Sequence, residues 1–317
     1  MKNKLYCGDN LEIMKSIPEK SVDLICTDPP YNSNRDYNDF DDRWDSDENY
    51  LNFMKLRLVE MHRLLKDTGS LYLHCDPTMS HYLKVELDKI FGKKNFRTEI
   101  IWHRHKGSKN TGKNLANNFD VIFRYTKSDK FTFNKSAITS DYTDEQLKKY
   151  YRFEDPDGRR WASCALKSWH NNQTSGYEYT IFGITDRWTW PEERMRKEIE
   201  KGIVFQTKPG TLPRYKKYLD EADGKLLDNV WLDIPNKGGG KENEGYPTQK
   251  PLALLIRLIR LCSNKGDLVL DPFCGSGTTI DASDELGRLY IGIDKNPEAI
   301  KLTKKRIEKN YSLFEDY

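Results

Sequence analysis

Apolar positions along the chain fall into three stretches of different rhythm. In the first, Leu5-Tyr6-Cys7 is a short apolar run that breaks at Gly8-Asp9, and Leu11, Ile13, Met14 and Ile17 then recur at helical spacing up to Pro18. Val22-Asp23-Leu24-Ile25-Cys26-Thr27 reads as a strand ended sharply by Asp28-Pro29-Pro30, because proline cannot continue a ladder. Leu51, Met54, Leu58, Met61, Leu64 and Leu65 mark a helix over about 50–66 that closes at Gly69, with Ser70 to Cys75 as the next strand. A helix near 78–91 and strands near 98–104 and 119–126 follow.

The second stretch, 131–235, is rich in Tyr, Trp, Lys, Arg and Asp and has no strand–helix rhythm. It reads as an inserted, partly irregular domain, with a turn at Asp155-Pro156-Asp157-Gly158 and a structured core element at Trp188-Thr189-Trp190 followed by Glu192 to Arg196. The third stretch returns to alternation. An apolar helix, Leu252 to Cys262, precedes the strand Leu268-Val269-Leu270, a glycine-rich turn, a helix to Leu286, the strand Leu289 to Ile293 and a charged helix after Pro297. Strands alternating with helices predict an α/β fold with a doubly wound, mostly parallel sheet. Residues 1–130 and 236–317 would form that domain, and 131–235 the insertion.

Composition narrows the class. The mean hydropathy of −0.83 and the lack of any 18-residue apolar run exclude a membrane span. The six cysteines (Cys7, Cys26, Cys75, Cys164, Cys262, Cys274) form no CxxC pair, which argues against zinc and against a disulfide scaffold. With no apolar or Arg/Ser-rich leader after Met1, the expected location is cytoplasmic. The net charge is only +3, but it is unevenly spread. Residues 93–135 hold eleven Lys/Arg against three acids, with Phe96, Trp102, Phe119, Phe123 and Tyr125 interleaved, which suits phosphate neutralisation. Arg104, Lys106, Lys109 and Lys113 are the expected phosphate contacts, a solvated face being the alternative, and His103-Arg104-His105 reads as phosphate contact or plain surface, not metal ligation. Residues 36–50 hold seven acids against Arg43 alone and read as a mobile loop whose acidity has no account at this level.

Two short motifs carry chemistry. Asp271-Pro272-Phe273-Cys274-Gly275-Ser276-Gly277-Thr278-Thr279 joins a strand to a helix, and Asp294 ends the next strand, 23 residues after Asp271. Glycines allow close backbone approach, a helix N-terminus supplies N–H donors, and an acid about 20 residues on can hold ribose hydroxyls. The P-loop lysine and the third glycine of a dinucleotide fingerprint are both missing, so an adenosine-containing ligand without a pyrophosphate fits better. Cys274 in this turn reads as a small packing residue. The second motif, Asp28-Pro29-Pro30-Tyr31, sits at the carboxyl end of a strand, where open α/β sheets place ligands. Its acid and proline carbonyls can accept hydrogen bonds from an exocyclic amine, and the Tyr31 ring can stack on the base that carries it.

With Gly8-Asp9-Asn10-Leu11, Tyr246-Pro247-Thr248-Gln249-Lys250-Pro251 and Arg288 to Asp294, these motifs make the chain resemble the S-adenosylmethionine-dependent amino-methyltransferases of DNA. The order is the permuted one called the beta class, with the Asp-Pro-Pro-Tyr motif first and the cofactor motif last. The resemblance covers roughly 5–130 and 228–300. It implies a Rossmann-like methyltransferase sheet with a target-recognition insertion, and methyl transfer to adenine N6 of double-stranded DNA after base flipping. It assigns Asp28, Pro29, Pro30 and Tyr31 to catalysis. S-adenosylmethionine would be held by Asp9, Thr248, Lys250, Pro251, Asp271, Phe273, Gly275, Gly277, Thr278 and Asp294, with no metal. Strand 5–7 should then lie beside strand 290–293. Cytosine-N4 methylation, RNA or protein-glutamine methylation, and a non-catalytic DNA-binding subunit of a restriction complex are the alternatives. Asp rather than Ser before Pro29 favours adenine. A cognate restriction nuclease and a second copy of the chain remain open as partners.

Overall fold

The computed structural model describes residues 3–33, 35–37, 40–104, 115–140, 142–168, 176–222, 224–236 and 249–312. Two compact units emerge, residues 1–138 with 227–317 and residues 139–226. The larger unit begins with β1 (Lys4–Cys7), α1 (Asn10–Ser16), β2 (Val22–Thr27), the hairpin β3 (Arg35–Tyr37) and β4 (Phe40–Asp42), and α2 (Asp47–Leu64). It continues with β5 (Leu65–Cys75), α3 (Pro77–Phe91), β6 (Phe96–His103) and β7 (Phe119–Thr126). The smaller unit supplies β8 (Thr139–Ser140), α4 (Asp144–Tyr150), β9 (Phe153–Glu154), β10 (Arg160–Ala165), β11 (Tyr177–Ile181) and β12 (Ile184–Trp188). After these come α5 (Glu192–Glu200), β13 (Val204–Phe205), β14 (Arg214–Tyr218) and β15 (Lys225–Leu226). The chain returns to the larger unit with β16 (Val230–Trp231), α6 (Leu252–Cys262), β17 (Leu268–Asp271), α7 (Thr278–Glu285), β18 (Leu289–Asp294) and α8 (Pro297–Ser312).

The large sheet has the order β1-β18-β17-β2-β5-β7-β6-β16, and β7 alone runs against its two neighbours. The expected doubly wound, mostly parallel sheet is present. Its central strands are apolar on both sides because both faces are covered. Ile25, Leu71, Leu73 and Leu270 pack with Met14, α2 and α3, while Leu24, Cys26, Tyr72 and Val269 pack with α6. That is the two-residue alternation of a strand read out as two cores. β1 pairs with β18 in the register Leu5↔Gly292 and Cys7↔Asp294, so the two chain ends close the sheet as expected. A Cβ on Gly292 would lie 2.8 Å from the Leu5 side chain, and glycine leaves the room that this pairing needs.

Three expectations shift. The second helix ends at Leu64, and β5 starts at once, with Leu65 opposite Val22 and a register shift before Leu24↔Ser70. The Leu64–Leu65 pair is buried, so both the helix end and the strand start face the core. Val230–Trp231, read as part of the insertion, instead pairs with Ile101–Trp102 as an edge strand of the large sheet. The boundaries of the smaller unit therefore fall at 138/139 and 226/227 instead of 130/131 and 235/236.

The smaller unit is also more regular than its sequence rhythm suggested. It holds the sheet β13-β14-β10-β9, the hairpin β11–β12 and the pair β8–β15. Strands of two to six residues leave little alternation to detect. Trp188 is fully buried beside Leu166, Ile181, Met195 and Val204, and its Nε1 donates to the Tyr179 carbonyl at 2.9 Å. Asp155 of the Asp-Pro-Asp-Gly turn accepts from Trp161, Lys216 and Tyr218 at 2.8, 2.7 and 2.6 Å. Among the described residues, no helix is long and apolar enough to cross a membrane.

Candidate active site

A cavity in the larger unit opens at the carboxyl ends of β1, β18, β17, β2 and β5, where open α/β sheets bind ligands. It brings the two motifs together although they are more than 240 residues apart in sequence. Asp28, Pro29, Pro30 and Tyr31 line one end, and Asp271, Phe273, Gly275, Ser276, Thr278 and Asp294 the other.

At the first end, the Tyr31 hydroxyl donates to Oδ1 of Asp28 and the Lys250 ammonium donates to Oδ2. A carboxylate has about four acceptor sites, so room is left for a ligand N–H. Burial and the neighbouring Asp28 push the Tyr31 phenol well above its ordinary value, so this hydroxyl stays a donor. Tyr50 donates to the Pro30 carbonyl at 2.8 Å, using the free acceptor that the proline pair presents. Lys250, expected beside a cofactor carboxylate, thus has its ammonium on Asp28.

Behind Asp28 stand His74 and Asp120, which the sequence reading did not single out, and Arg104, which it placed on DNA. His74 Nδ1 lies 3.7 Å from Asp28 Oδ1, and its Nε2 is hydrogen-bonded to Asp120 Oδ2 at 3.1 Å. Arg104 Nε lies 3.1 Å from Asp120 Oδ1. Asp120 is almost fully buried, and burial works against its charge, yet the His74 hydrogen bond and the nearby cations hold it below the usual carboxylate range. His74 stands one residue from the end of an apolar strand, at the sheet edge where ligands bind. That position was the available signal for it.

At the other end, β17 hands Asp271 to the turn. Thr27 and the Phe273 N–H donate to Asp271 Oδ1 at 3.1 and 3.0 Å, and burial pushes its carboxyl up to about 7. Asp294 accepts the Gly275 N–H at 2.9 Å and the Asn296 N–H at 2.8 Å, and burial raises it too. Neither acid forms an ion pair among the described residues. Cys274 is a buried packing residue, as expected.

Two expected cofactor contacts prove to be partly architectural. Gly277 has φ +78, and a Cβ there would sit 2.5 Å from Thr303 on α8. The last helix therefore already requires a residue without a Cβ at this position. Asp9 caps α1, accepting from Leu11 at 2.8 Å, and pairs with Arg57 at 2.9 Å. Arg57 also reaches Asn10, whose amide donates to the Pro272 carbonyl at 2.6 Å, tying the first helix to the cofactor turn. Thr278 is buried at the start of α7 and accepts from Arg306 at 3.2 Å. Pro251 is buried immediately before α6. Thr248, Lys106, Lys109 and Lys113 lie outside the described residues.

The basic stretch is partly corrected. Trp102, Phe123 and Tyr125 are core residues of β6 and β7, not a stacking surface. Arg124 is buried with Phe131 and Phe133 over its guanidinium, Arg97 pairs with Asp129, and Arg104 serves Asp120. Much of this charge is spent inside the unit. The acidic segment gains an account in the same way. Asp42 is buried and accepts from the Asn32 and Ser33 N–H groups at 2.8 and 3.0 Å, while Asp47 accepts from the Asn32 amide at 2.7 Å. These acids clamp the chain that leaves Tyr31. Among the described residues no cluster of His, Cys, Asp or Glu could hold a metal ion.

The chain is similar to known proteins. The type II methyltransferase M.EcaI of Enterobacter cloacae is 31% identical over 99% of this chain and 71% of its own. The DNA adenine methyltransferase YhdJ of Escherichia coli is 28% identical over 95% of this chain and 81% of its own. A protein of Thermus thermophilus assigned as a DNA modification methylase, solved with S-adenosyl-L-methionine, has a TM-score of 0.54 at 22% identity, covering 97% of this chain and 93% of that one. This last likeness speaks to the fold. The family described as DNA methylase, comprising N6 and N4 methyltransferases, matches residues 22–305, which include both motifs and the cavity between them, and the chain belongs to that family.

Proposed function

We propose that the protein moves a methyl group from S-adenosylmethionine to the N6 amine of adenine in double-stranded DNA. The observation that carries this reading is that Asp28, oriented by Tyr31 and Lys250, shares one cavity with the Asp271–Asp294 turn. The residues fit that cofactor. Buried Asp271, pushed up to about 7, and partly buried Asp294, neither in an ion pair among the described residues, suit a ligand that brings its own positive charge. Asp271, Phe273, Gly275 and Thr278 would hold its methionine end and Asp294 its ribose. When bound, the cofactor supplies an electrophilic methyl group on a sulfonium.

The chain's own residues supply position and dipoles. An adenine amine is a weak nucleophile because its lone pair is delocalised into the ring. Asp28 and the Pro29 carbonyl accept its two hydrogens and favour the tetrahedral nitrogen that attacks. Tyr31 orients Asp28 through its hydroxyl and offers its ring to the extruded base. Most of the barrier reduction then comes from orientation and fixed charge. The base has to leave the stack, at a cost of a few kcal/mol. The smaller unit, 139–226, is the target-recognition segment in this reading.

Adenine is favoured over cytosine because the relative YhdJ carries adenine in its name and because Asp stands before Pro29. The test is digestion of DNA methylated by the purified protein, with nucleosides resolved by mass spectrometry. N6-methyladenosine is expected. N4-methylcytosine as the sole product would overturn the base assignment, and no methylated nucleoside would overturn the activity.

A further inference from the structure

We propose that His74 is the positioning residue to which Asp28 passes the proton shed by the methylated nitrogen, with Asp120 and Arg104 holding it for that task. The inference rests on the adenine-methyltransferase reading and extends it. Its basis is a row of four polar side chains leading away from the reacting acid, with the middle two, His74 and Asp120, buried. Asp28 Oδ1 is 3.7 Å from His74 Nδ1, His74 Nε2 is 3.1 Å from Asp120 Oδ2, and Asp120 Oδ1 is 3.1 Å from Arg104 Nε.

The chemistry follows from which atoms can donate. An ionised carboxylate only accepts, so the hydrogen of the Nε2–Asp120 bond sits on the imidazole. In the neutral ring that leaves Nδ1 with its lone pair turned towards Asp28. A proton-sized acceptor site therefore lies behind the residue that contacts the substrate amine. The 3.7 Å gap exceeds a hydrogen bond, and the Tyr31 hydroxyl uses the same oxygen; catalytic hydrogen bonds commonly tighten in the reacting complex. As the imidazole charges, Asp120 becomes its counter-ion, which is the service a buried acid gives to the histidine of a hydrolytic triad. Arg104 keeps Asp120 ionised and pointed inward.

The step balances. The adenine nitrogen's lone pair forms the bond to the methyl carbon, and the carbon–sulfur pair departs with sulfur. The nitrogen, now with four bonds and a positive charge, releases one of its original hydrogens to Asp28. Asp28 passes a proton to Nδ1, so the methylated amine is neutral and the charge rests on an imidazolium between two carboxylates. Once the product has left, His74 returns the proton through Asp28, which faces the open cavity, and the row is reset. His74 is 5% exposed, and Trp102 closes on it with ring centroids 5.7 Å apart, so bulk water does not substitute for it.

The groups that face His74 are Asp28 and Asp120, with Lys250 on the former and Arg104 on the latter, the Tyr31 ring at 6.1 Å, and the buried Cys75 next along its strand. His74→Asn keeps an amide that can donate to Asp120 but cannot take up a proton. It should lower the single-turnover rate of methyl transfer to adenine-containing duplex about 10- to 100-fold, with cofactor affinity by calorimetry and DNA affinity unchanged. Asp120→Asn should lower the rate by a similar factor. A measurement without turnover guards against a misfolded variant. The ¹⁵N shifts of the wild-type imidazoles should show His74 with its hydrogen on Nε2 and a bare Nδ1. Wild-type rates in His74→Asn, or a hydrogen resident on Nδ1, would each overturn the proposal. Failure of the wild-type protein to methylate adenine at any pH would instead overturn the activity on which the proposal rests.

Discussion

At the Asp28 end of the cavity the carboxylate is met by Lys250, Tyr31 and His74, whereas at the glycine turn the hydrogen bonds to Asp271 and Asp294 come, among the described residues, from hydroxyl and backbone N–H donors, with Lys295 near Asp294. The difference matches what each end receives in the proposed reaction. A target adenine is neutral, so the protein has to provide the charges that orient Asp28. A sulfonium amino acid arrives with its own positive charge, and a site that already held cations would repel it. Desolvation is thus left uncompensated at one end and answered internally at the other. Buried acids with raised values mark where a cationic ligand belongs, and buried acids with partners mark where the protein itself sets orientation.

The strongest way to break this contrast is to remove the oriented acid. Asp28→Ala should reduce the single-turnover rate about 10²–10³-fold, the usual loss for one preorganised polar partner, while cofactor affinity stays near wild type. A parallel collapse of cofactor affinity would mean that the two ends are one electrostatic unit. Tyr31→Phe retains the ring but drops the hydroxyl on Asp28, so its rate should fall between the two.

The glycine turn tests the other end. Gly277→Val combines a left-handed backbone with a Cβ 2.5 Å from Thr303, and should cost about 2–4 kcal/mol of stability by strain and overpacking. Thermal unfolding would report it. Loss of cofactor binding at an unchanged midpoint would restore Gly277 as a direct ligand contact.

A smaller effect is expected where the cavity meets α1. Asp9→Ala removes a helix cap and leaves the buried Arg57 guanidinium without its carboxylate, which should cost about 1–3 kcal/mol. Arg57→Met should be milder, since it removes the charge along with the pairing. A loss in Asp9→Ala with none in Arg57→Met would show that the cap, and not the pair, carries the effect.

Much of the fold and part of the site could be read from the sequence, and the division has a physical reason. Asp28-Pro29-Pro30-Tyr31 and Gly275-Ser276-Gly277 constrain their own backbones, so a local reading places them at strand ends. The β1–β18 pairing followed from the order of the motifs. His74, Asp120 and Arg57 were missed because each acts across a gap of more than 40 residues, and nothing in the local sequence separates a working histidine from a packed one. The stretch 93–135 turned out only partly as expected among the described residues, for the opposite reason. Its rhythm of cations and aromatics is also what two sheet strands produce when Arg97 and Arg124 lie across Phe131 and Phe133. Net charge along a segment does not reveal which guanidiniums are already spoken for.

The finest test of the contrast is the pH dependence of the unpaired acid. Burial raises Asp271 to about 7 in the folded chain, against an ordinary carboxylate value of about 4. The folded state therefore holds this proton over the interval from about 4 to 7 where the unfolded chain has lost it. Asp271's contribution to stability is then most favourable below pH 4, declines as pH rises to 7, and is flat beyond. Cofactor binding should run the other way. A cationic ligand favours the ionised carboxyl, so binding near pH 6.5 should release a proton, and affinity should rise about tenfold between pH 6 and 8. Calorimetry in two buffers of different ionisation enthalpy measures that proton directly. Asp271→Asn should abolish the release and flatten the affinity profile, whereas Asp28→Asn should leave both intact, because Asp28 is already answered by Lys250. Proton release that persists in Asp271→Asn would shift the acid responsible to Asp294, whose value burial also raises.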